Sequence, residues 1–282
     1  MKAADLSRAV AAATSIAAGC GLPVDDATVL HDSNKLTLRL LPCDVVARVA
    51  HAGREVAAFE VEVAQGLAGT EGCPVAALDP RVAPGVHLQD GFAVTLWTCY
   101  APQTARPVAP APYSEALLGL HAAMRRITVT APHFTDRVAE AQQLVSNRAL
   151  TPALAEADRE LLTGTLHELR RAIGERGAAE QLLHGEPHPG NLLATESGPR
   201  FIDLETCCRG PVEFDLAHVP EAVSDRHPDL DPALLCDCRG LVLAMVAAWR
   251  FDADDEYPNG RQEGLRLLRD LREGPPWPAL AG

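Results

Sequence analysis

Lysine is almost absent from this chain of 282 residues: Lys2 and Lys35 stand against 23 arginines. Composition by itself gives that bias no function. No stretch reaches the ~18 uninterrupted apolar residues that a membrane span needs, and Met1-Lys2-Ala3-Ala4-Asp5 opens an amphipathic stretch instead of a signal peptide. A cytoplasmic protein with no membrane partner is expected. The eight cysteines are scattered. Cys207-Cys208 and Cys236-Asp237-Cys238 are the close pairs, and neither is matched by a second pair at zinc-ligand spacing, which predicts free buried thiols. Basic charge is also short, at 25 residues against 38 acidic ones, so the net charge of −13 would repel a phosphate backbone and excludes nucleic acid as a partner. Acidic clefts attract cations instead. Aromatic residues make up 4% of the chain, and no long basic or aromatic groove for a peptide is visible. What remains is ample apolar content, 47%, for the core of one large domain or two moderate ones.

The most informative stretch is His184-Gly185-Glu186-Pro187-His188-Pro189-Gly190-Asn191, followed by Arg200-Phe201-Ile202-Asp203-Leu204-Glu205. Gln181-Leu182-Leu183-His184 is a short apolar approach, after which Pro187, Pro189 and Gly190 forbid helix and predict a rigid turn. Leu192-Leu193-Ala194 and Phe201-Ile202 flank Glu196-Ser197-Gly198-Pro199 and read as a hairpin turning at Ser197-Gly198-Pro199. Such a hairpin brings Asn191, at its foot, towards Asp203, at its end. Mg²⁺ takes one or two protein oxygens beside phosphate and water oxygens, so this pair suffices as the protein's share. Glu186 lies on the same loop as Asn191, where a carboxylate can receive the proton of a substrate hydroxyl. Phosphoryl transfer needs this equipment.

His-Gly-Xaa-Xaa-His-Xaa-Xaa-Asn from His184 to Asn191, Ile-Asp-Xaa-Glu from Ile202 to Glu205, and Gly210-Pro211-Val212-Glu213-Phe214-Asp215-Leu216-Ala217 together resemble the aminoglycoside phosphotransferase family. Three ordered pieces at compact spacing are far more specific than one. The resemblance implies an α+β, two-lobed protein-kinase-like fold, with a small N-terminal antiparallel sheet lobe and a larger, mainly helical C-terminal lobe. It also implies ATP or GTP as co-substrate with Mg²⁺. His184 and Glu186 would belong to the catalytic loop, Asn191 and Asp203 would hold the metal, and Asp215 would brace the loop. The family's base is an aspartate, and Glu186 keeps the carboxylate while moving it by one methylene. A displacement of order 1 Å can cost about 10²-fold in rate. Glu186 can therefore also be read as a loop hydrogen-bond acceptor in a protein that binds nucleotide without turning it over.

In the N-terminal third, Val45-Val46-Ala47-Arg48-Val49 alternates like a half-buried strand and fixes the face of Arg48. The resemblance places here a basic residue, usually lysine, that grips nucleotide phosphates. Arg48 keeps the charge with a different reach and geometry. Val56, Phe59, Val63 and Leu67 form an apolar helical stripe in Arg54–Leu67, and Glu60 falls within it while Glu55 and Glu62 project elsewhere. A carboxylate facing the core needs a cation, and Arg48 is the candidate. Asp32-Ser33-Asn34-Lys35 lies where the family puts its phosphate-covering loop, so Ser33 and Asn34 are candidate nucleotide contacts. Glycine-rich character is missing there, and an ordinary hairpin turn is an equal reading. Phe92–Trp97 reads as a strand, and the resemblance would hydrogen-bond adenine to backbone near Thr98 and Tyr100.

The implied division is a nucleotide-binding lobe at 1–98, a proline-rich extended connection at 99–112 and a helical lobe at 113–282. Within the last, Ser114 is expected to cap one helix, Thr151 and Pro152 to start another through Arg176, and the apolar Gly240–Phe251 to form the final, buried one. Asp252-Ala253-Asp254-Asp255-Glu256 would draw a cationic acceptor or serve as a solvated turn. His121 and His218 read as structural. Two function classes remain: an O-phosphotransferase acting on a small-molecule hydroxyl, with an aminoglycoside-like acceptor favoured, or a nucleotide-binding pseudoenzyme. A kinase of peptide or protein hydroxyls ranks below both, and the oligomeric state stays open.

Overall fold

The computed structural model describes residues 3–32, 35–52, 55–101 and 107–280. In chain order these form α1 (Ala3–Gly19), β1 (Val24–Asp32), β2 (Leu36–Pro42), β3 (Val45–His51), α2 (Val56–Ala68), β4 (His87–Gln89), β5 (Phe92–Thr98), α3 (Pro110–Met124), α4 (Phe134–Ser146), α5 (Glu156–Glu175), β6 (Gln181–Leu183), β7 (Leu192–Thr195), β8 (Gly198–Phe201), β9 (Cys208–Gly210), α6 (Val212–Leu216), α7 (Glu221–Ser224), α8 (Pro232–Trp249) and α9 (Gly260–Glu273). They divide into two compact units. The first is Met1–Pro107 with Arg126–Val129 and Leu193–Glu205, and the second is Val108–Arg125, Thr130–Leu192 and Thr206–Gly282.

The first unit is built on an antiparallel sheet of order β1-β2-β3-β5-β4. Alternation in β2 and β3 puts Leu36, Leu38, Leu40, Val45, Ala47 and Val49 on one face, where Ala9, Ala12, Ala13, Ile16 and Ala17 of α1 cover them. The small side chains of α1 let the helix come close to the sheet. Arg48, between Ala47 and Val49, must point to the opposite face. In α2 the buried residues are Ala57, Glu60, Val61, Val63, Ala64 and Leu67. Glu60 therefore faces inward as its phase predicts, with Glu55 and Glu62 exposed. Val56, placed by its spacing in the buried stripe, is instead 37% exposed, because it opens the first turn of the helix.

The second unit is mainly helical. Helix α8 packs against α4, α5, α6 and α9, burying Leu234, Leu235, Leu241, Val242, Leu243 and Met245 among others. It is long and apolar enough to cross a membrane by length and composition, yet it carries Asp237 and Arg239 and much of it is buried within the protein. Three helices differ from the sequence expectation. Helix α3 starts at Pro110, not at Ser114, because Pro110 and Pro112 fall in the first turn, where a missing N–H costs nothing; Ser114 is buried inside the helix. Helix α5 starts at Glu156, not Pro152, since Arg159 reaches back to the Thr151 hydroxyl (2.8 Å) and carbonyl (3.1 Å) and holds that residue in a turn. The apolar helix is not the last, for α9 follows it and buries Leu267, Leu268 and Leu271 on one face. None of the eight cysteines forms a disulfide; Cys43, Cys207, Cys208 and Cys238 are buried and the other four, expected to be buried, are partly exposed.

Candidate active site

The sequence-predicted residues fall into two groups, one in each unit. In the first, β7 and β8 form the expected hairpin, though its turn is Glu196-Ser197 and Gly198 already lies in β8 with φ 103°. Phe201 at the end of β8 is fixed by hydrogen bonds in both directions, its N–H to the Pro74 carbonyl and its carbonyl from the Ala76 N–H, each 2.8 Å. Two residues later the backbone of Asp203 takes a left-handed conformation, φ 66°, uncommon for a residue with a Cβ but tolerated by aspartate. Its carboxylate meets Arg48, whose Nη2 donates to Asp203 and whose Nη1 donates to Glu60. The expected Arg48–Glu60 pair is thus present and extends to Asp203.

Two residues join this group that the sequence reading did not single out. Lys35, just before β2, lies 3.3 Å from Glu60 and 3.9 Å from Asp203, and pairs closely with Glu205. Carboxylate oxygens of Glu60, Asp203 and Glu205 all lie within 4.8 Å of one another. Burial drives the Glu60 carboxyl above the usual carboxylate range, opposed by the charges of Arg48 and Lys35. Burial also works against the Arg48 cation, but the charges of Glu60 and Asp203 outweigh it and hold the guanidinium above its ordinary value. An all-oxygen donor set fits a hard cation such as Mg²⁺. The signals for the added residues were a lone lysine beside the suspected phosphate loop and the second acid of the Ile202–Glu205 motif.

In the second unit, β6 pairs with β9 and delivers the chain into the His184–Asn191 loop. Asp215, at 0% exposure, holds that loop: its carboxylate accepts from the backbone N–H of His184 (3.0 Å) and of Gly185 (2.7 Å), and from His121 Nε2 at 2.9 Å. Burial alone would raise this carboxyl, but the hydrogen bond and charge of His121 pull it below the usual range. Gly185 is required here, because its φ is 88° and a Cβ would fall 2.0 Å from the Thr206 carbonyl oxygen. The Thr206 hydroxyl donates to the His184 carbonyl at 3.0 Å, and the buried Tyr113 hydroxyl donates to the Pro187 carbonyl. Asn191 Nδ2 donates to the Glu186 carbonyl at 3.0 Å, tying the two ends of the loop together.

Glu186 itself is held by Arg137 of α4, a residue that nothing in the sequence marked out. The Arg137 guanidinium lies 5.0 Å from the ring centre of Trp249 and is fixed by that face. Burial pushes the Glu186 carboxyl up, but the charge and hydrogen bond of Arg137 overcome it and hold the group below the ordinary carboxylate range. His218 is buried, which lowers it to about 4, and it is neutral near pH 7.

The remaining candidates are separate from these groups. Ser33 and Asn34 lie outside the described residues. Thr98 donates its N–H to the Ala77 carbonyl at 2.9 Å, so an incoming base would find that donor engaged, and the Tyr100 hydroxyl accepts from the Ala77 N–H at 3.1 Å. In the acidic run, Asp255 is neutralised by Arg250 at 2.9 Å and Asp252 accepts from the Asp254 N–H at 3.0 Å.

A carboxylate cluster beside two cations, and a loop braced by a buried aspartate, are the marks of a phosphotransferase. The chain belongs to the phosphotransferase enzyme family, whose model matches residues 29–238. No curated protein sequence gives a match. Among solved structures, the chain is similar to an amicoumacin kinase in complex with AMP-PNP, Ca²⁺ and Ami, with 12% identity and TM-score 0.71 over 98% of each chain. It is similar also to a choline/ethanolamine kinase family protein from Mesorhizobium loti, with 17% identity and TM-score 0.67 over 96% of this chain and 95% of that one. A third is an aminoglycoside 2'-phosphotransferase-IIIa in its GDP complex, with 14% identity and TM-score 0.68 over 94% of this chain and 98% of that one. These likenesses establish the protein-kinase-like fold.

Proposed function

We propose that this phosphotransferase moves the γ-phosphate of ATP or GTP to a hydroxyl of a small, cationic molecule, with an aminoglycoside-like alcohol favoured. The observation that carries the reading is the gathering of Glu60, Asp203 and Glu205 oxygens within 4.8 Å beside Lys35 and Arg48, a set suited to a divalent ion and a polyphosphate. Asp203 would hold Mg²⁺, with Glu205 available as a further oxygen ligand. Bound Mg²⁺ would neutralise charge on the phosphate oxygens. Glu186, ionised and fixed by Arg137, would orient the acceptor hydroxyl and receive its proton at a carboxylate oxygen. Asp215 and His121 would keep the loop rigid while this happens. The acidic excess of the chain supports a cationic acceptor, although Asp255 is already paired with Arg250. The work would be done in the cytoplasm.

A second reading, a nucleotide-binding protein without turnover, is favoured by one observation, the engagement of Glu186 by Arg137. Incubating the protein with Mg²⁺ and ATP or GTP against a panel of aminoglycosides, amino alcohols and neutral sugars, and measuring nucleoside diphosphate released, separates the two. Acceptor-dependent release supports transfer, whereas nucleotide binding without release from any acceptor supports the second reading.

A further inference from the structure

Arg48 and Lys35 meet the same carboxylates in different ways. Both terminal nitrogens of Arg48 are committed, one to Glu60 and one to Asp203, so its planar fork joins helix α2 to the segment after β8. Turning Arg48 away would strip a contact from Glu60, which is 1% exposed, and a buried carboxylate that loses a partner is strongly destabilised. Lys35 is a compact ammonium on a flexible stem, close to Glu60, Asp203 and Glu205. If it swings away, Glu60 and Asp203 keep Arg48. Glu60 then gives up a 3.3 Å contact on Oε2 while keeping Arg48 on Oε1, and Glu205, whose side chain is 22% exposed, loses its pair where water can take over.

Resting on the phosphotransfer reading, we infer that Lys35 is the residue whose charge grips the phosphates of the bound nucleoside triphosphate, and that Arg48 is a fixed clamp between Glu60 and Asp203. The assignment places the phosphate-gripping cation in the bend just before β2 and the fixed one at the middle of β3.

Titration calorimetry on the full chain tests this, using Lys35→Met and Arg48→Met with a nucleoside and with its non-hydrolysable triphosphate analogue plus Mg²⁺. Lys35→Met should weaken binding of the analogue by about tenfold or more, as losing a charged hydrogen bond does, while leaving nucleoside affinity close to that of the parent. Arg48→Met should lower the melting temperature. Analogue binding by Lys35→Met as tight as the parent's overturns the assignment, and so does an equal loss for nucleoside and analogue. Lys35→Gln provides the same comparison if the methionine variant does not fold. A parent that binds neither nucleotide sinks the phosphotransfer reading and this one together, whereas a binding parent with an unaffected Lys35→Met sinks this one alone.

Discussion

In the proposed transfer Glu186 receives the hydroxyl proton, and its environment sets a sign that can be measured. Arg137 keeps its carboxyl below the ordinary value, so the base is ionised at neutral pH and activity should fall only as acid reaches that lowered pKa. In Arg137→Met the buried carboxylate loses its cation and its pKa rises. The acidic limb of the kcat profile should then move to higher pH, and a limb that stays in place would remove Arg137 from any role in tuning the base. Glu186→Gln should lower turnover by roughly 10²–10⁴-fold with nucleotide affinity little changed. At Asp203 the backbone is left-handed, which asparagine also tolerates. Asp203→Asn should therefore keep the fold and lose Mg²⁺-dependent nucleotide binding, and calorimetry showing parental affinity would refute the metal assignment. Glu186, Asn191 and Asp203 were legible because they are local in sequence and carried by motifs. Arg137 was not, because it lies 49 residues before Glu186 on another element and nothing in its own helix marks its partner.

At the scale of elements, the His184–Asn191 loop is held by backbone contacts, and its stability should respond sharply. Asp215→Ala would leave two backbone N–H groups and His121 without their acceptor in a fully buried site, a loss of about 3–5 kcal/mol. Gly185→Ala should also cost several kcal/mol, since the new methyl would meet the Thr206 carbonyl. Urea denaturation would measure both, and a Gly185→Ala midpoint equal to the parent's would show that the loop can relax. Strands β3 and β5 were legible from alternation and apolar runs, because the sheet buries what the pattern says it should. Helix starts were not. Ser114 looks like a cap by residue type, yet prolines upstream already satisfy the first turn, and Thr151 is taken by Arg159, a contact that no local pattern encodes. Helix α9 escaped notice because its charged residues outnumber the few leucines that bury it.

For the whole molecule, pH and ligand should each move stability in a defined direction. His218 titrates at about 4 in the folded chain against 6.5 when unfolded, so between those values the unfolded state binds more protons. Its contribution is complete above pH 6.5 and is lost as pH falls towards 4, a decline of about 3 kcal/mol if no other group compensates. His218→Gln should flatten that part of the stability curve, and an unchanged slope would show that carboxylates dominate it. Nucleotide at 100 times its Kd should stabilise by about 2.7 kcal/mol, and Asp203→Asn should abolish the Mg²⁺-dependent part of that gain.

The near-absence of lysine makes the cluster around Lys35 chemically addressable. An amine-selective acylating reagent has two lysine side chains to find, and the 23 arginines are silent to it. Trypsin cuts the parent after Arg8, Lys35 and Arg39, so acylation of Lys35 would fuse two peptides into one running from Ala9 to Arg39. The mass of that fused peptide is a site-specific reporter. Its yield, followed with and without Mg²⁺ and nucleotide, would make the chain its own footprinting probe, with no engineered label.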